Sequence, residues 1–306
     1  MSKMKTISYN QAIKDFRSPV RLKKDNNGNA NQFAYAEWIN DASEVEMLHV
    51  RDFKTLIQVI GKAKYSESLK ANGGAVLFFR GQARFYGTKL QPSVYRTLRR
   101  NKSKVDAKVE SEVNQFIRLA GANIEKLSPV VVEGLFQQYE KPSRWIDVVD
   151  NIWIALWFAC HDRWEESGRV VYVRRQPSKE KDHCRYAYIL LLGAVQGERL
   201  GAGYWKSQSC EYLDLRCAVP SQYLRPHVQH GILIRKLNKQ GLPAEDMTGL
   251  VKGIIRIDLE DALHWLGEAE SLSVPTLFPG PMFDTGFRDI LEDCEKAKMG
   301  ATYNFR

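Results

Sequence analysis

The segment Phe78-Phe79-Arg80-Gly81-Gln82 ends an apolar run on a permanent cation followed at once by glycine. Arginine's planar fork matches the oxygens of a phosphate or a carboxylate. Gly81 permits a left-handed turn or the close approach of a ligand to the backbone. The chemistry this predicts is anion binding at the rim of a core; the plainer use is an ion pair at a strand edge. A second polar stretch, Gln137-Gln138-Tyr139-Glu140-Lys141-Pro142-Ser143-Arg144-Trp145-Ile146-Asp147, sits before a very apolar segment. A loop held by buried elements is a natural place for a site, although Arg144 and Asp147 are also spaced to pair across one helical turn. A third stretch, Arg225-Pro226-His227-Val228-Gln229-His230-Gly231, precedes the apolar run 231–235. Its two histidines match no zinc spacing, so no metal is expected. Between these lie Gln91-Pro92-Ser93-Val94-Tyr95-Arg96 and five cations (Arg96, Arg99, Arg100, Lys102, Lys104) within nine residues. That composition fits either phosphate contact or a solvated face. GxSxG, Walker A, GxGxxG and HExxH are all absent, which speaks against serine hydrolase, P-loop and Rossmann chemistry.

The elements that must position these residues follow from periodicity. Phe53, Leu56, Ile57 and Ile60 mark a helix over 51–71. The run 75–79 reads as a buried strand. Val109, Val113, Phe116, Ile117 and Ala120 mark a second helix, and 129–139 a third that stops before Pro142. Residues 151–164 read as one buried helix. The stretches 170–174, 186–192, 231–235 and 253–259 are rich in β-branched and aliphatic residues and read as strands. A last helix is expected over 283–294. The order predicts an α+β fold with a mixed sheet core and flanking helices. An N-terminal helical and partly flexible extension is expected over 1–72, with a loose polar stretch at 23–31, and a single domain over 73–306.

With 306 residues the chain is long enough to bury a core without disulfides or a metal. Its five cysteines are scattered and free of CxxC spacing, and no apolar run is long enough to span a membrane. No secretory signal is visible at the N-terminus, so a cytoplasmic protein without a membrane partner is expected. Forty-five Lys and Arg against 36 Asp and Glu leave a net charge of +9. A surface of that charge attracts polyanions, nucleic acid among them.

Taken in order, these segments resemble the FRG domain, a bacterial family. The matching pieces are Phe79-Arg80-Gly81-Gln82, Pro92-Ser93-Val94-Tyr95-Arg96, Leu135-Phe136-Gln137-Gln138-Tyr139, Pro142-Ser143-Arg144-Trp145-Ile146-Asp147, the 225–231 segment and Thr276-Leu277-Phe278-Pro279-Gly280. The chain departs from the family pattern at Val148, where a tryptophan is common. It departs again at Ser143, where a threonine is common, and at Gly280, where an acidic residue is usual.

The family's layout is similar to that of ADP-ribosyltransferases. The resemblance implies an ADP-ribosyltransferase-like fold, NAD as substrate, and Arg80, Ser143, Gln229 and Asp147 as catalytic residues. It implies NAD contacts from Arg80, Gly81, Gln82, Tyr95, Tyr139 and Arg144. The third motif offers Gln229 rather than a glutamate. A glutamine cannot act as a general base, which leaves Asp147 or Glu211 for that role. The expected function is a toxin or antiphage effector that modifies nucleic acid, RNA ahead of DNA, under restraint by an antitoxin or chaperone. The alternative is a nucleic-acid or nucleotide-sensing module of a defence system without turnover. It would grip phosphates with the same arginines.

Overall fold

The computed structural model describes residues 36–40, 45–69, 74–87, 89–98, 101–119, 124, 126–166, 169–178, 184–267 and 272–296. The expected loose stretch at 23–31 lies outside them. Strands β1 (Ala36–Asn40) and β2 (Glu46–Val50) lead into helix α1 (Phe53–Leu69) and strand β3 (Ala75–Gln82). Helices α2 (Lys102–Leu119) and α3 (Pro129–Gln138) follow, then β4 (Ile146–Val148) and α4 (Ile152–Ala159). The chain continues through β5 (His161–Glu166), β6 (Arg169–Arg174), β7 (Tyr186–Val195), β8 (Glu198–Gly201), β9 (Tyr204–Lys206) and β10 (Cys210–Asp214). It closes with β11 (Ile232–Lys236), β12 (Val251–Asp258), α5 (Leu259–Leu266) and α6 (Thr285–Lys296).

Two five-stranded sheets, ordered β1-β2-β12-β7-β3 and β4-β11-β10-β9-β8, carry the fold. The first is mixed: β12 runs parallel to β2 and antiparallel to β7. Alternation along β3 explains the layering. Leu77 and Phe79 face α1, α4 and α5, while Phe78 faces the second sheet, against Ile146, Val148, Ile232 and Ile234. The outer face of the second sheet, with Leu213 and Leu233, packs on α2, α3 and α6. The result is four layers, helices, sheet, sheet, helices, in an α+β protein with a mixed sheet.

The described residues before 73, 36–40 and 45–69, do not stand apart from the rest. Leu48 of β2 pairs with Ile255, and Leu56, Val59, Ile60 and Ala63 of α1 are buried in the same core as β3. Phe53 and Ile57, expected on the buried face of this helix, are exposed, because only Leu56, Ile60 and their neighbours reach the sheet. The helix expected over 151–164 stops at Ala159. Asn151 caps its start, accepting from the Trp153 N–H at 2.9 Å. Beyond Cys160, His161–Glu166 is a strand paired with β6. Its partner is rich in β-branched residues and the sequence between them holds Ser167-Gly168, a turn signal that helical periodicity obscured.

The edges of the two sheets meet at one point. Phe79 of β3 and Val149 beyond β4 exchange two backbone hydrogen bonds of 2.8 Å. That bridge sets the end of β3 beside β4, and so Arg80 beside Asp147.

Candidate active site

A cleft of about 740 Å³ opens at this seam, lined by the end of β3, the loop after α3, β4, α4 and the β5–β6 hairpin. Its volume lies within the ~300–1,000 Å³ of small-molecule sites. Arg80 sits on its floor. Nη1 donates to the backbone carbonyl of Asp147 at 2.7 Å, while the buried Nε has no hydrogen-bond partner among the described residues. Burial is the largest influence on the guanidinium and lowers its pKa, with Asp147 opposing. The group remains a cation.

Gly81 follows in the same strand. An added Cβ would lie 1.8 Å from the Ala155 carbonyl oxygen, so glycine is required for α4 to cross β3 at backbone distance. The close approach at the missing Cβ is made by a helix, and Gly81 itself lines the cleft. Gln82, the next residue, lines the cleft.

Asp147 is held by a short chain. The Trp145 N–H donates to Ser143 Oγ at 3.1 Å, the Ser143 hydroxyl donates to Gln137 Oε1 at 2.7 Å, and Gln137 Nε2 donates to Asp147 Oδ2. Oδ1 is buried with no partner among the described residues. Burial pushes the carboxyl up to about 6, against the lowering by Arg80 and the Gln137 hydrogen bond. Ser143 is fully buried behind Gln137, so it touches the cleft only through that amide.

Gln229 lines the cleft with both ends of its amide engaged. Oε1 accepts from Gln138 at 2.6 Å, and Nε2 donates to the Leu277 carbonyl at 2.6 Å. The three remaining NAD contacts expected from sequence fall elsewhere. Arg144 is committed to Glu133 (2.8 Å) and Glu110 (2.8 Å), in a buried ion pair that raises its pKa against the desolvation. Tyr139 is buried against Phe287 at a ring separation of 5.0 Å and donates to Asp284 at 2.7 Å. Tyr95 donates to Asp106 at 2.6 Å and packs on the core around α2 and α3. Glu211, the second base considered, is buried between Arg235 (2.6 Å) and Lys206 (2.9 Å), which hold it below the usual range. None of these four lines the cleft.

Two cleft residues escaped the sequence reading. His161 was read inside a helix; it stands at the start of β5, stacked on Trp157 at 3.8 Å and 16°. Its Nδ1 donates to the Trp157 carbonyl at 2.7 Å, which fixes the tautomer and leaves Nε2 as the basic nitrogen of the neutral ring. Burial lowers its pKa below the ordinary histidine value of 6.5. Glu140 has φ +68°, the left-handed position after α3. Glu140 N–H donates to the Gln137 carbonyl at 3.2 Å and Lys141 N–H to the Phe136 carbonyl at 2.7 Å. These are the two bonds of a Schellman ending, where glycine is the usual residue. The carboxylate instead takes the guanidinium of Arg163 (3.0 Å) and the hydroxyl of Tyr172 (3.2 Å). The signal in sequence was a helix stopping before Lys141-Pro142 without a glycine.

Among the described residues no three His, Cys, Asp or Glu group as a metal site, and no helix is long and apolar enough to cross a membrane. No curated protein and no solved structure matches the chain. Residues 75–167 match the family model of the FRG domain. This span contains Arg80, Glu140, Ser143, Asp147 and His161 but not Gln229, and the match supports the FRG family for the part of the chain that builds most of the cleft.

Proposed function

We propose that the cleft binds NAD and transfers its ADP-ribose to a nucleophile at the cleft mouth. The observation that carries the reading is the pairing on the floor. The Arg80 guanidinium, anchored on the Asp147 backbone carbonyl, lies beside the Asp147 carboxylate, and both residues line the cleft. An anionic, hydroxyl-bearing ligand entering the cleft meets both side chains.

In the transfer, the bond between ribose C1′ and the nicotinamide nitrogen breaks and its electron pair leaves with nicotinamide. A lone pair of the acceptor forms the new bond to C1′, and the acceptor loses a proton. Positive charge builds on the ribose in the transition state, as in glycoside cleavage. Arg80 would bind the phosphates or the nicotinamide ribose, and its fork fixes their orientation. Ionised Asp147 would stabilise the developing cation at low local dielectric. His161 Nε2 would take the acceptor's proton. Gln137 and Ser143 act as positioning residues, since they hold Asp147 and touch no reacting atom. An NAD-consuming enzyme endangers the cell that makes it, so the reading carries with it a restraining partner such as an antitoxin.

The test is release of nicotinamide from labelled NAD, with RNA, DNA or cell lysate as acceptor. Wild-type protein is expected to label one of them, and Arg80→Ala to lose at least ~100-fold while melting as a folded protein. Absence of release and of transfer across acceptors and pH sinks the reading.

A second reading, nucleotide binding without turnover, draws on Gln229. Both ends of its amide are tied to protein groups, and no carboxylate stands at that position. It predicts that NAD binds, with Arg80→Ala weakening it, and that no nicotinamide is released.

A further inference from the structure

We infer that the cleft mouth is a track for single-stranded nucleic acid, with Trp164 and Tyr86 as its base-stacking platforms. The inference supplies the acceptor for the transfer proposed above and rests on that reading for its place in a reaction, though not for its measurement.

The two walls of the mouth differ in chemistry. One is the segment after β3. From residue 83 to residue 104 the sequence contains no Asp or Glu. Arg84, Lys89 and Arg96 from this segment are exposed and line the cleft, and Lys141 joins them from the loop after α3. None of the four has an ion-pair partner among the described residues. Other exposed cations do: Arg51 pairs with Glu37, Lys108 with Glu112 and Arg163 with Glu140. Four cations without an ion-pair partner among the described residues line one cleft, and a polyanion relieves their mutual repulsion. The facing wall is the β5–β6 hairpin, a two-stranded sheet separate from the other two. There Trp164 is 56% exposed, directly across from Val171, itself exposed. Tyr86 stands on the basic wall at 62% exposure.

A row of cations with large aromatic rings left in water is the arrangement that binds single strands, phosphates on the cations and bases on the rings. In a duplex the base faces are already stacked, so the rings would gain nothing. An acidic peptide satisfies the cations and likewise leaves Trp164 and Tyr86 without a flat partner. The observations therefore favour an unpaired strand.

The experiment uses the full chain without NAD and follows fluorescence anisotropy of labelled 12-nucleotide oligo-uridylate, oligo-thymidylate and a duplex of equal length, from 50 to 200 mM salt. The single strands are expected to bind at least tenfold more tightly than the duplex. Trp164→Ala and Tyr86→Ala should each weaken the single strand five- to fifty-fold, and Trp164→Phe should restore most of it. Arg84→Ala, Lys89→Ala and Arg96→Ala should each lower the slope of log affinity against log salt by roughly 0.7. Tighter binding of oligo-uridylate makes RNA the strand, and of oligo-thymidylate DNA. Equal affinity for duplex, equal competition by poly-glutamate, or no loss in Trp164→Ala overturns the inference. Binding as expected without nicotinamide release would remove the transferase reading and leave the track standing.

Discussion

The Arg80 guanidinium donates from Nη1 to the backbone carbonyl of Asp147 at 2.7 Å, while the Asp147 carboxylate takes its hydrogen bond from Gln137 instead. Two opposite charges are thus held side by side without neutralising each other through a shared hydrogen bond. Each retains one buried atom without a partner among the described residues. The bridge between Phe79 and Val149 fixes this spacing, because it locks the two strands that carry them. A structural ion pair would have its donors and acceptors matched, as Arg144 and Glu133 do. The Arg80–Asp147 pair instead leaves Nε and Oδ1 unmatched among the described residues, and both residues line the cleft.

Burial of the Asp147 carboxyl makes stability depend on pH in a definite direction. Burial raises the Asp147 carboxyl from 3.8 to about 6, so the folded state holds a proton that the unfolded chain has lost. Stability contributed at this site therefore falls as pH rises from about 4 to about 6 and is level above that. Asp147→Asn removes the cost of ionising. It should be more stable than wild type by about 1–3 kcal/mol at pH 7 and indistinguishable from it near pH 4. The same change should abolish NAD cleavage. Denaturant melts at the two pH values check the first half; a variant that gains nothing at pH 7 would show that the carboxylate is already well solvated.

Gly81→Ala should be among the most damaging single changes in the chain. Its Cβ would sit 1.8 Å from a carbonyl oxygen of α4, and a backbone contact cannot be relieved by turning a side chain. Either β3 or α4 must move, against Phe79, Ala155 and Leu156, all buried there. A loss above ~3 kcal/mol is expected. Gly280→Ala is the control, since nothing lies within 4 Å of its Cβ, and should cost under ~0.5 kcal/mol. Thermal melts of the two variants measure both.

The contrast between Gly81 and its neighbours shows what a sequence can carry. The position of Arg80 at a strand end was readable, because an apolar run followed by Arg-Gly has few other placements. So was the helix ending near Tyr139. What the spacing could not convey was direction. Gln137, Gln138 and Glu140 line the cleft, and Tyr139 among them does not, since the left-handed residue after it turns the chain. Arg144 was assigned to a ligand because its partners Glu133 and Glu110 lie 11 and 34 residues away, and nothing local marks them. His161 was missed because one apolar helix ran, by pattern, straight into a strand whose alternation spans only six residues. The early strands β1 and β2 lie in a segment read as an extension. The parallel pairing of β2 with β12, some two hundred residues later, has no local signature.

Glu140 holds a left-handed backbone that costs a non-glycine residue roughly 1 kcal/mol. Its carboxylate offsets this by joining Arg163 of the hairpin to Tyr172, whose ring stacks on Phe278 at 4.3 Å. Glu140→Gly relieves the backbone and loses both contacts, so the net change in stability should stay within about 1 kcal/mol. Activity should not be spared. With Arg163 and Tyr172 released, nicotinamide release is expected to fall ten- to a hundredfold. Melting and turnover measured on the same preparation separate the two effects, and full turnover in Glu140→Gly would remove Glu140 from the site.

His161 gives the sharpest test of the chemistry. The Trp157 carbonyl can only accept, so Nδ1 must carry the proton and Nε2 the lone pair. Burial lowers the pKa below 6.5, which keeps the ring neutral at pH 7 and able to take a proton. Base catalysis by this ring is lost as pH falls through its lowered pKa, and the catalytic carboxylate of Asp147 is lost near pH 6, so wild-type turnover should begin to drop below about pH 6. His161→Gln keeps a polar group of similar size and removes the basic nitrogen. It should lower kcat by ~10²–10⁴ with little change in KM, and leave the single ionisation of Asp147 in the pH profile. A profile unchanged in shape, with kcat near wild type, would place the base elsewhere; a rise in KM alone would make His161 a binding residue.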